Sequence, residues 1–311
     1  MNRTGGCWLR GERAWAAIFS TAVTRQQAFT LPGTDRPGVL VHMVAPPVPG
    51  PGTRITIVLH GTDRNAGEYC AQWTQWAMQH DRIVLAPQFD HANWPGRRRY
   101  VLGGVLDRDG TPRPRSRWTF TAVTDLHRHA RERFGLADEE FDLWGHSAGA
   151  QFVHRYLLFE PAAPVRTAIA ANAGWYTLPD LEQPFPYGLA HPGLHFTPAD
   201  VVAWAARPLV LMRGCADIER DEHLRTTPEA DAQGPHRFAR AAAMHRAGHA
   251  AAAECRWRLV DVPFAAHDFA AMVPAAQVLL AGTASRPTAG HWRSASWWPA
   301  ELPADERSRY Q

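Results

Sequence analysis

Gly145-His146-Ser147-Ala148-Gly149 sets a serine between two glycines, behind the apolar run Phe141-Asp142-Leu143-Trp144 and ahead of an amphipathic stretch from Gln151 to Leu158. Gly-x-Ser-x-Gly at a strand-to-helix junction has a mechanical meaning: the chain turns so sharply that the hydroxyl is lifted clear of the strand end. The flanking glycines remove Cβ atoms that would collide in such a turn. A serine hydroxyl attacks a carbonyl only when a base takes its proton, and that base needs an acid to orient it. The chemistry implied is acyl transfer, for which a histidine and a carboxylate must come from elsewhere in the chain. Small residues also form ordinary turns, so the weight of the motif depends on those partners.

The surrounding elements supply a frame for them. Short β-rich runs alternate with longer helical ones, the pattern of a parallel sheet wrapped by helices, so the fold class expected is α/β. Strands are predicted at Gly38 to Ala45, Arg54 to Leu59, Arg82 to Ala86 (stopped by Pro87), Phe141 to Trp144, Val165 to Ala171, Pro208 to Met212 and Arg256 to Val262. Helices are predicted at Ala66 to Gln79, Thr121 to Phe134 (closed by Gly135 as a C-cap), Val201 to Ala206, Pro235 to Glu254 and Phe269 to Leu280. A Gly/Arg/Pro-rich loop fills Asp90 to Arg117, with Arg97 to Arg99 read as solvated. The proline- and aromatic-rich segment from Pro179 to Pro198 is suited to a flap over a site.

In open parallel sheets, ligands bind past the C-terminal ends of strands. Asp217 follows the strand at Pro208 to Met212, and His267 follows the strand ending at Val262, giving the order Ser147, Asp217, His267. Glu219 and Asp221 share the acid's loop and are alternatives to it, or else solvated surface charge. Asp268 adjoins His267 and is expected to face away from the serine. A developing oxyanion needs backbone N–H donors, each worth about 3 kcal/mol. Ala148, after the nucleophile, is one candidate, and Thr62, after His60-Gly61, is the other. Trp175 and Tyr176 follow the strand at Val165 to Ala171, where they either line the mouth as substrate contacts or pack beneath the flap. Phe185 and Tyr187 pose the same choice. An aromatic-lined mouth favours uncharged esters.

Leu59-His60-Gly61-Thr62-Asp63-Arg64-Asn65-Ala66, the serine pentapeptide and its extension Ala150-Gln151-Phe152, Ala86-Pro87-Gln88-Phe89-Asp90 and Gly174-Trp175-Tyr176-Thr177-Leu178-Pro179 together resemble the α/β-hydrolase superfamily. More narrowly, they resemble its polyhydroxybutyrate-depolymerase-like serine esterases, over roughly Gly38 to Leu280. The resemblance implies a mostly parallel central sheet with helices on both faces. It also implies hydrolysis of small or oligomeric esters through an acyl-enzyme, with Ser147, Asp217 and His267 as the triad. A secreted depolymerase would carry a signal peptide and often a polymer-binding module, neither of which is evident here. A peptidase, thioesterase or acyltransferase could use the same triad, and a binding protein could retain the scaffold without reacting.

Composition narrows the class. The chain has 311 residues, 45% hydrophobic and 20% charged, which suits a folded globular protein. The net charge of +3 gives no reason to expect a nucleic-acid partner. All 33 cations are arginine, as a GC-rich coding genome would produce. Cys7, Cys70, Cys215 and Cys255 lack metal-ligand spacing, and His245 and His249 share a helix face without a third ligand, so no metal or other cofactor is expected. No apolar run approaches the ~18 residues of a membrane span. The patch from Ala14 to Val23 lacks a clean cleavage signature, so the expected location is cytoplasmic, with export as the alternative. The expected organisation is an N-terminal extension with the first strand region (1–37), a catalytic domain (38–282) and a tail (283–311) holding Trp292, Trp297 and Trp298. The sequence does not set the oligomeric state.

Overall fold

The computed structural model describes residues 26–282. The patch from Ala14 to Val23, Cys7 and the tryptophans of the C-terminal tail lie outside the described residues.

Among the described residues, one sheet holds eight strands: β1 (Gln27–Leu31), β2 (Val39–Val44), β3 (Arg54–Leu59), β4 (Arg82–Gln88), β5 (Phe141–His146), β6 (Val165–Ala171), β7 (Leu209–Gly214) and β8 (Arg258–Val262). Their order is β1-β2-β4-β3-β5-β6-β7-β8. From β4 to β8 every pairing is parallel, while β1 and β2 form an antiparallel edge. The fold is that of an α/β-hydrolase.

The parallel strands are apolar on both faces because helices cover both. Ile55, Ile57 and Leu59 of β3, with Leu143 of β5 and Leu211 of β7, enter one core. Val58, Trp144, Val210 and Met212 enter the other. Helices α1 (Ala66–Ala71) and α2 (Thr74–Gln79) close the second core. Following α3 (Gly96–Arg99), α4 (Thr119–Phe134) and α5 (Ala148–Phe159) close the first. The remaining helices are α6 (Pro198–Ala205), α7 (Pro228–Ala232), α8 (Arg237–Ala251) and α9 (Phe269–Leu280). Among the described residues, no helix is long and apolar enough to cross a membrane.

Several expectations for individual elements are corrected. The helix expected over Ala66 to Gln79 is two, because a tight turn at Gln72-Trp73 drives the Trp73 ring into the core edge-on to Trp76 and Trp144. Pro87 does not stop β4, which pairs on as far as Leu40↔Gln88. The β3 ladder has already ended at Ile57↔Leu85, so on that side the missing N–H of proline breaks no bond. Arg97 to Arg99 form the one-turn α3 rather than a loose loop. The following chain buries Tyr100, Val101 and Val105, and Arg113 donates to the carbonyls of Gly104 (3.0 Å) and Arg117 (3.1 Å). Helix α6 starts earlier than expected, at Pro198, because Thr197 and Asp200 cap each other's backbone. Gly135 ends α4 in the left-handed conformation, at φ 61°.

Candidate active site

Ser147 connects β5 to α5 with φ 55° and ψ −112°, a conformation costly for any residue with a side chain. Backbone contact enforces it. A Cβ on Gly145 would lie 2.5 Å from the Gly149 carbonyl oxygen, and one on Gly149 would lie 2.3 Å from that of Leu59. The Ser147 N–H donates to Ala171 O at the end of β6 (2.9 Å). Thus α5 is drawn against β3, and the serine side chain is left partly exposed at the rim.

The structure brings Ser147, His267 and Asp217 into one row. The Ser147 hydroxyl lies 3.1 Å from His267 Nε2, and His267 Nδ1 lies 2.8 Å from Asp217 Oδ2. A carboxylate can only accept, so the Nδ1 nitrogen carries the proton and Nε2 is left as the acceptor facing the hydroxyl. Asp217 is 2% exposed, while His267 keeps contact with solvent. A buried carboxylate requires partners. Asp217 finds His267 and, on its other oxygen, Arg237 Nη1 at 3.4 Å.

Of the alternative acids, Asp221 is not solvated charge: it accepts two hydrogen bonds from Arg237, at 2.6 and 2.9 Å. That guanidinium holds its carboxyl down at about 2. Glu219 is exposed. Asp268 accepts from Ala270 N–H (2.9 Å) and caps α9. His245 and His249 stand with ring centroids 4.5 Å apart, and His249 is hydrogen-bonded to the Trp257 carbonyl at 3.0 Å.

The loop after β3 passes beside the serine. A Cβ on Gly61 would lie 3.8 Å from Ser147 Cβ, and Thr62 follows at an exposed turn. Ala148 N–H is the first amide of α5 and has no acceptor in its own helix. His60, read from sequence only as the end of a strand, organises this corner. Its Nδ1–H donates to Gly61 O (2.9 Å) and its Nε2 accepts from Phe89 N–H (3.0 Å), tying the end of β3 to that of β4. Burial lowers its pKa to about 3, so the ring stays neutral and this bonding pattern is fixed. Tyr69 works from the other side. Its hydroxyl is hydrogen-bonded to His146 Nδ1 (3.2 Å), and its ring stacks on Phe269 at 4.0 Å. Burial, with the His267 and Arg237 charges nearby, pushes the His146 imidazole well below the usual histidine range.

Trp175 and Tyr176 take the packed arrangement of the two open to them. They are 2% and 0% exposed, so neither forms an open rim. The Tyr187 ring lies 4.8 Å from the Trp175 ring, and the Arg155 guanidinium sits over that ring, 4.1 Å from its centroid. Tyr176 is held by Gln233, whose amide pairs with both its N–H and its C=O, each at 2.8 Å. Phe185 instead lines a pocket of about 180 Å³ with Leu102, Val105, Leu106, Pro186 and His191. Its lining comes from the loop after β4, Arg98, Asp107 and Arg108 included, and from the flap after β6; no residue of the Ser147–His267–Asp217 row lines it, and Phe185 packs on Phe159 (6.0 Å), at the opposite end of α5 from Ser147.

Sequence reasoning missed two functional neighbours of the row. Arg237 heads α8, where an arginine reads as helix surface, and its partners lie on a distant loop. Asn172 follows β6 at φ 52° and is 1% exposed. Its position directly after a buried strand was the available signal.

No family model matches the chain, and no curated protein does. Solved structures do. A poly(aspartic acid) hydrolase-1 from Sphingomonas sp. KT-1 is 36% identical with a TM-score of 0.79, over 82% of this chain and 97% of that one. LpqC, a poly(3-hydroxybutyrate) depolymerase from Bordetella parapertussis, is 34% identical with a TM-score of 0.79, over 88% of this chain and 95% of that one. An S-formylglutathione hydrolase from Agrobacterium tumefaciens, 15% identical with a TM-score of 0.54 over 83% of this chain and 94% of its own, shares the fold alone.

Proposed function

Because this chain belongs to the poly(3-hydroxybutyrate)-depolymerase-like serine hydrolases of the α/β-hydrolase superfamily, we propose that it cleaves carboxylic esters, small or oligomeric, through an acyl-enzyme on Ser147. The observation that carries this reading is the hydrogen-bonded row Ser147–His267–Asp217 at the strand ends. As the Ser147 oxygen attacks the ester carbonyl, His267 Nε2 takes its proton and Asp217 stabilises the imidazolium that forms. The carbonyl oxygen becomes an anion between the amides of Ala148 and Thr62. Gly61 brings that loop beside the serine, with Thr62 the next donor on it. Collapse breaks the ester C–O bond, and His267 returns the proton to the departing alcohol. Water, deprotonated by the same imidazole, then releases the acid and restores the serine.

Trp175 and Tyr176, both buried, act on substrate through the flap they hold rather than by direct contact. A second reading, amide hydrolysis with the same residues, is favoured by the likeness to a poly(aspartic acid) hydrolase.

Fluorophosphonate should label the wild type at Ser147 and leave folded Ser147→Ala unlabelled. A p-nitrophenyl ester series of rising chain length, run beside peptide and thioester substrates, separates the readings. Turnover of amides or thioesters alone would remove the ester assignment.

A further inference from the structure

Asn172 stands where the strands bearing the row end. Its Oδ1 accepts from Gly214 N–H at 2.7 Å, its Nδ2 donates to Ala266 O at 3.0 Å, and its backbone N–H donates to Met212 O at 2.9 Å. The residue before it, Ala171, accepts the Ser147 N–H at 2.9 Å. Bonds from two adjacent residues therefore reach the serine elbow, the arm that carries Asp217 and the arm that carries His267. Gly214 is where the acid arm leaves β7, and the Asp217 N–H folds back to its carbonyl (3.1 Å). Ala266 immediately precedes His267.

The two arms pass backbone against backbone. A Cβ on Gly214 would lie 2.2 Å from Ala265 O, so no side chain of either arm can act as a spacer there. Two backbone bonds, Cys215 N–H to Val262 O (3.0 Å) and Ala216 N–H to Ala265 O (2.9 Å), hold the arms in register. Beyond them, the Asn172 amide is the last tie before the Asp217 and His267 side chains. A primary amide accepts on one side and donates on the other. Carboxylate can supply only the accepting half, and an aliphatic side chain supplies neither.

We propose that Asn172 is a positioning residue, whose side-chain amide sets the spacing of the Asp217 and His267 arms and through it the alignment of the imidazole on Ser147. The inference rests on the serine-hydrolase reading, since it concerns alignment of that row. The tie reaches only the acid and histidine arms, so the loss falls on chemistry rather than on substrate binding. A misplacement of about 1 Å in such a row costs roughly 10²-fold in rate.

The test compares Asn172→Asp and Asn172→Gly with wild type in fluorophosphonate labelling of Ser147, p-nitrophenyl ester kinetics and thermal melting. Asn172→Asp tolerates the backbone conformation and still accepts from Gly214, but at neutral pH it turns a second oxygen toward Ala266 O. Its labelling rate and kcat per folded molecule should fall roughly ten- to a hundredfold, with KM near wild type, while the buried charge lowers the melting temperature. As pH falls and the new carboxyl gains a proton, it can donate to Ala266 O again, so its deficit against wild type should shrink. Asn172→Gly lacks both halves and should show the deficit at every pH. A wild-type labelling rate in Asn172→Gly, or losses that track only the fraction unfolded, would overturn the proposal. Asn172→Gly alone decides the matter if the aspartate variant does not fold. A wild type that is never labelled counts against the serine-hydrolase reading instead. In that case a crystal structure of Asn172→Gly still reads the proposal: the His267 Nδ1 to Asp217 Oδ2 separation should exceed 2.8 Å, and an unchanged row overturns it.

Discussion

The serine elbow and the flap share one rim of the sheet and are built by opposite means. Between Gly145 and Gly149 backbone meets backbone, with no space for a Cβ on either glycine. Backbone contact at the two glycines shapes the turn, with the Ser147 N–H bond to Ala171 O beside it, and the glycines mark it in consecutive residues. The flap after β6 has no helix and no ladder strand before α6. It is stitched by turns such as Leu178 N–H to Tyr187 O (2.7 Å) and Leu189 N–H to Asp180 O (2.8 Å). Buried polar side chains from remote segments then fasten it. Arg155 donates to Thr177 Oγ1 (2.8 Å), Arg240 to Gly174 O (2.6 Å), and Gln233 pairs with Tyr176. One element is fixed by exclusion of volume, the other by satisfaction of hydrogen bonds.

The largest effect expected separates chemistry from construction at the elbow. Ser147→Ala should lose roughly 10⁴-fold or more in ester turnover. Its melting temperature should stay within a few degrees of wild type, because the glycine contacts that build the turn remain. A large fall in melting temperature would mean that the hydroxyl holds the elbow together, against the steric account. Gly149→Ala is the converse. A methyl aimed at Leu59 O from 2.3 Å forces backbone apart, and overpacking of this kind costs typically 1–3 kcal/mol or more. Labelling should fall more than tenfold together with stability, measured by urea midpoint. A stable, reactive Gly149→Ala protein would break the claim that sterics define the turn.

That contrast explains what could be read from the sequence. The elbow, the alternating strands and the order Ser147, Asp217, His267 each follow from local pattern: an apolar run, a turn and a reactive residue at the strand end. The α/β class follows for the same reason, since periodicity and punctuation are local properties. The edge strand β1 is placed by sequence only within a first strand region of 1–37, because only Leu31 of it is buried, which leaves little apolar signal. Asp221 was read as an alternative acid or as solvated charge because its partner, Arg237, reaches it from the head of another helix. Trp175 and Tyr176 were left between mouth and core because their burial depends on Arg155, Tyr187 and Gln233, none of them a sequence neighbour. Thr-Pro-Ala-Asp at Thr197 to Asp200, by contrast, is a legible capping box at the start of α6.

Within the flap, Gln233→Leu should sharpen the comparison with a middle-sized effect. It strips both partners from the buried Tyr176 backbone, at a cost of about 1–3 kcal/mol for each group left unsatisfied. The penalty falls on an element whose other ties are hydrogen bonds of the same kind. Protease cutting between residues 173 and 197 should therefore accelerate more than global unfolding does. KM for long-chain esters should rise while the labelling rate of Ser147 changes little. Equal losses in labelling and in KM would show that flap and elbow are mechanically one piece.

The smallest effect expected lies on the acid arm, where charge contributes to stability. The folded Asp221 carboxyl sits at about 2 against an ordinary 3.8, depressed first by its hydrogen bonds from Arg237. A depressed carboxyl contributes stability that is fully present above pH 3.8 and is lost as pH falls through about 2. Its side chain is 31% exposed, so solvent screening limits the contribution to about 1 kcal/mol. Asp221→Asn keeps the oxygen that accepts from His223 and Leu224, both at 2.9 Å, and removes the charge together with the acceptor that faces Arg237 Nη1. Its urea midpoint should lie below that of wild type at pH 7, and the gap should close between pH 4 and pH 2 as wild type loses the same charge. A gap of constant size down to pH 2 would assign the loss to packing around Arg237, and the acid arm would then belong with the elbow rather than with the flap.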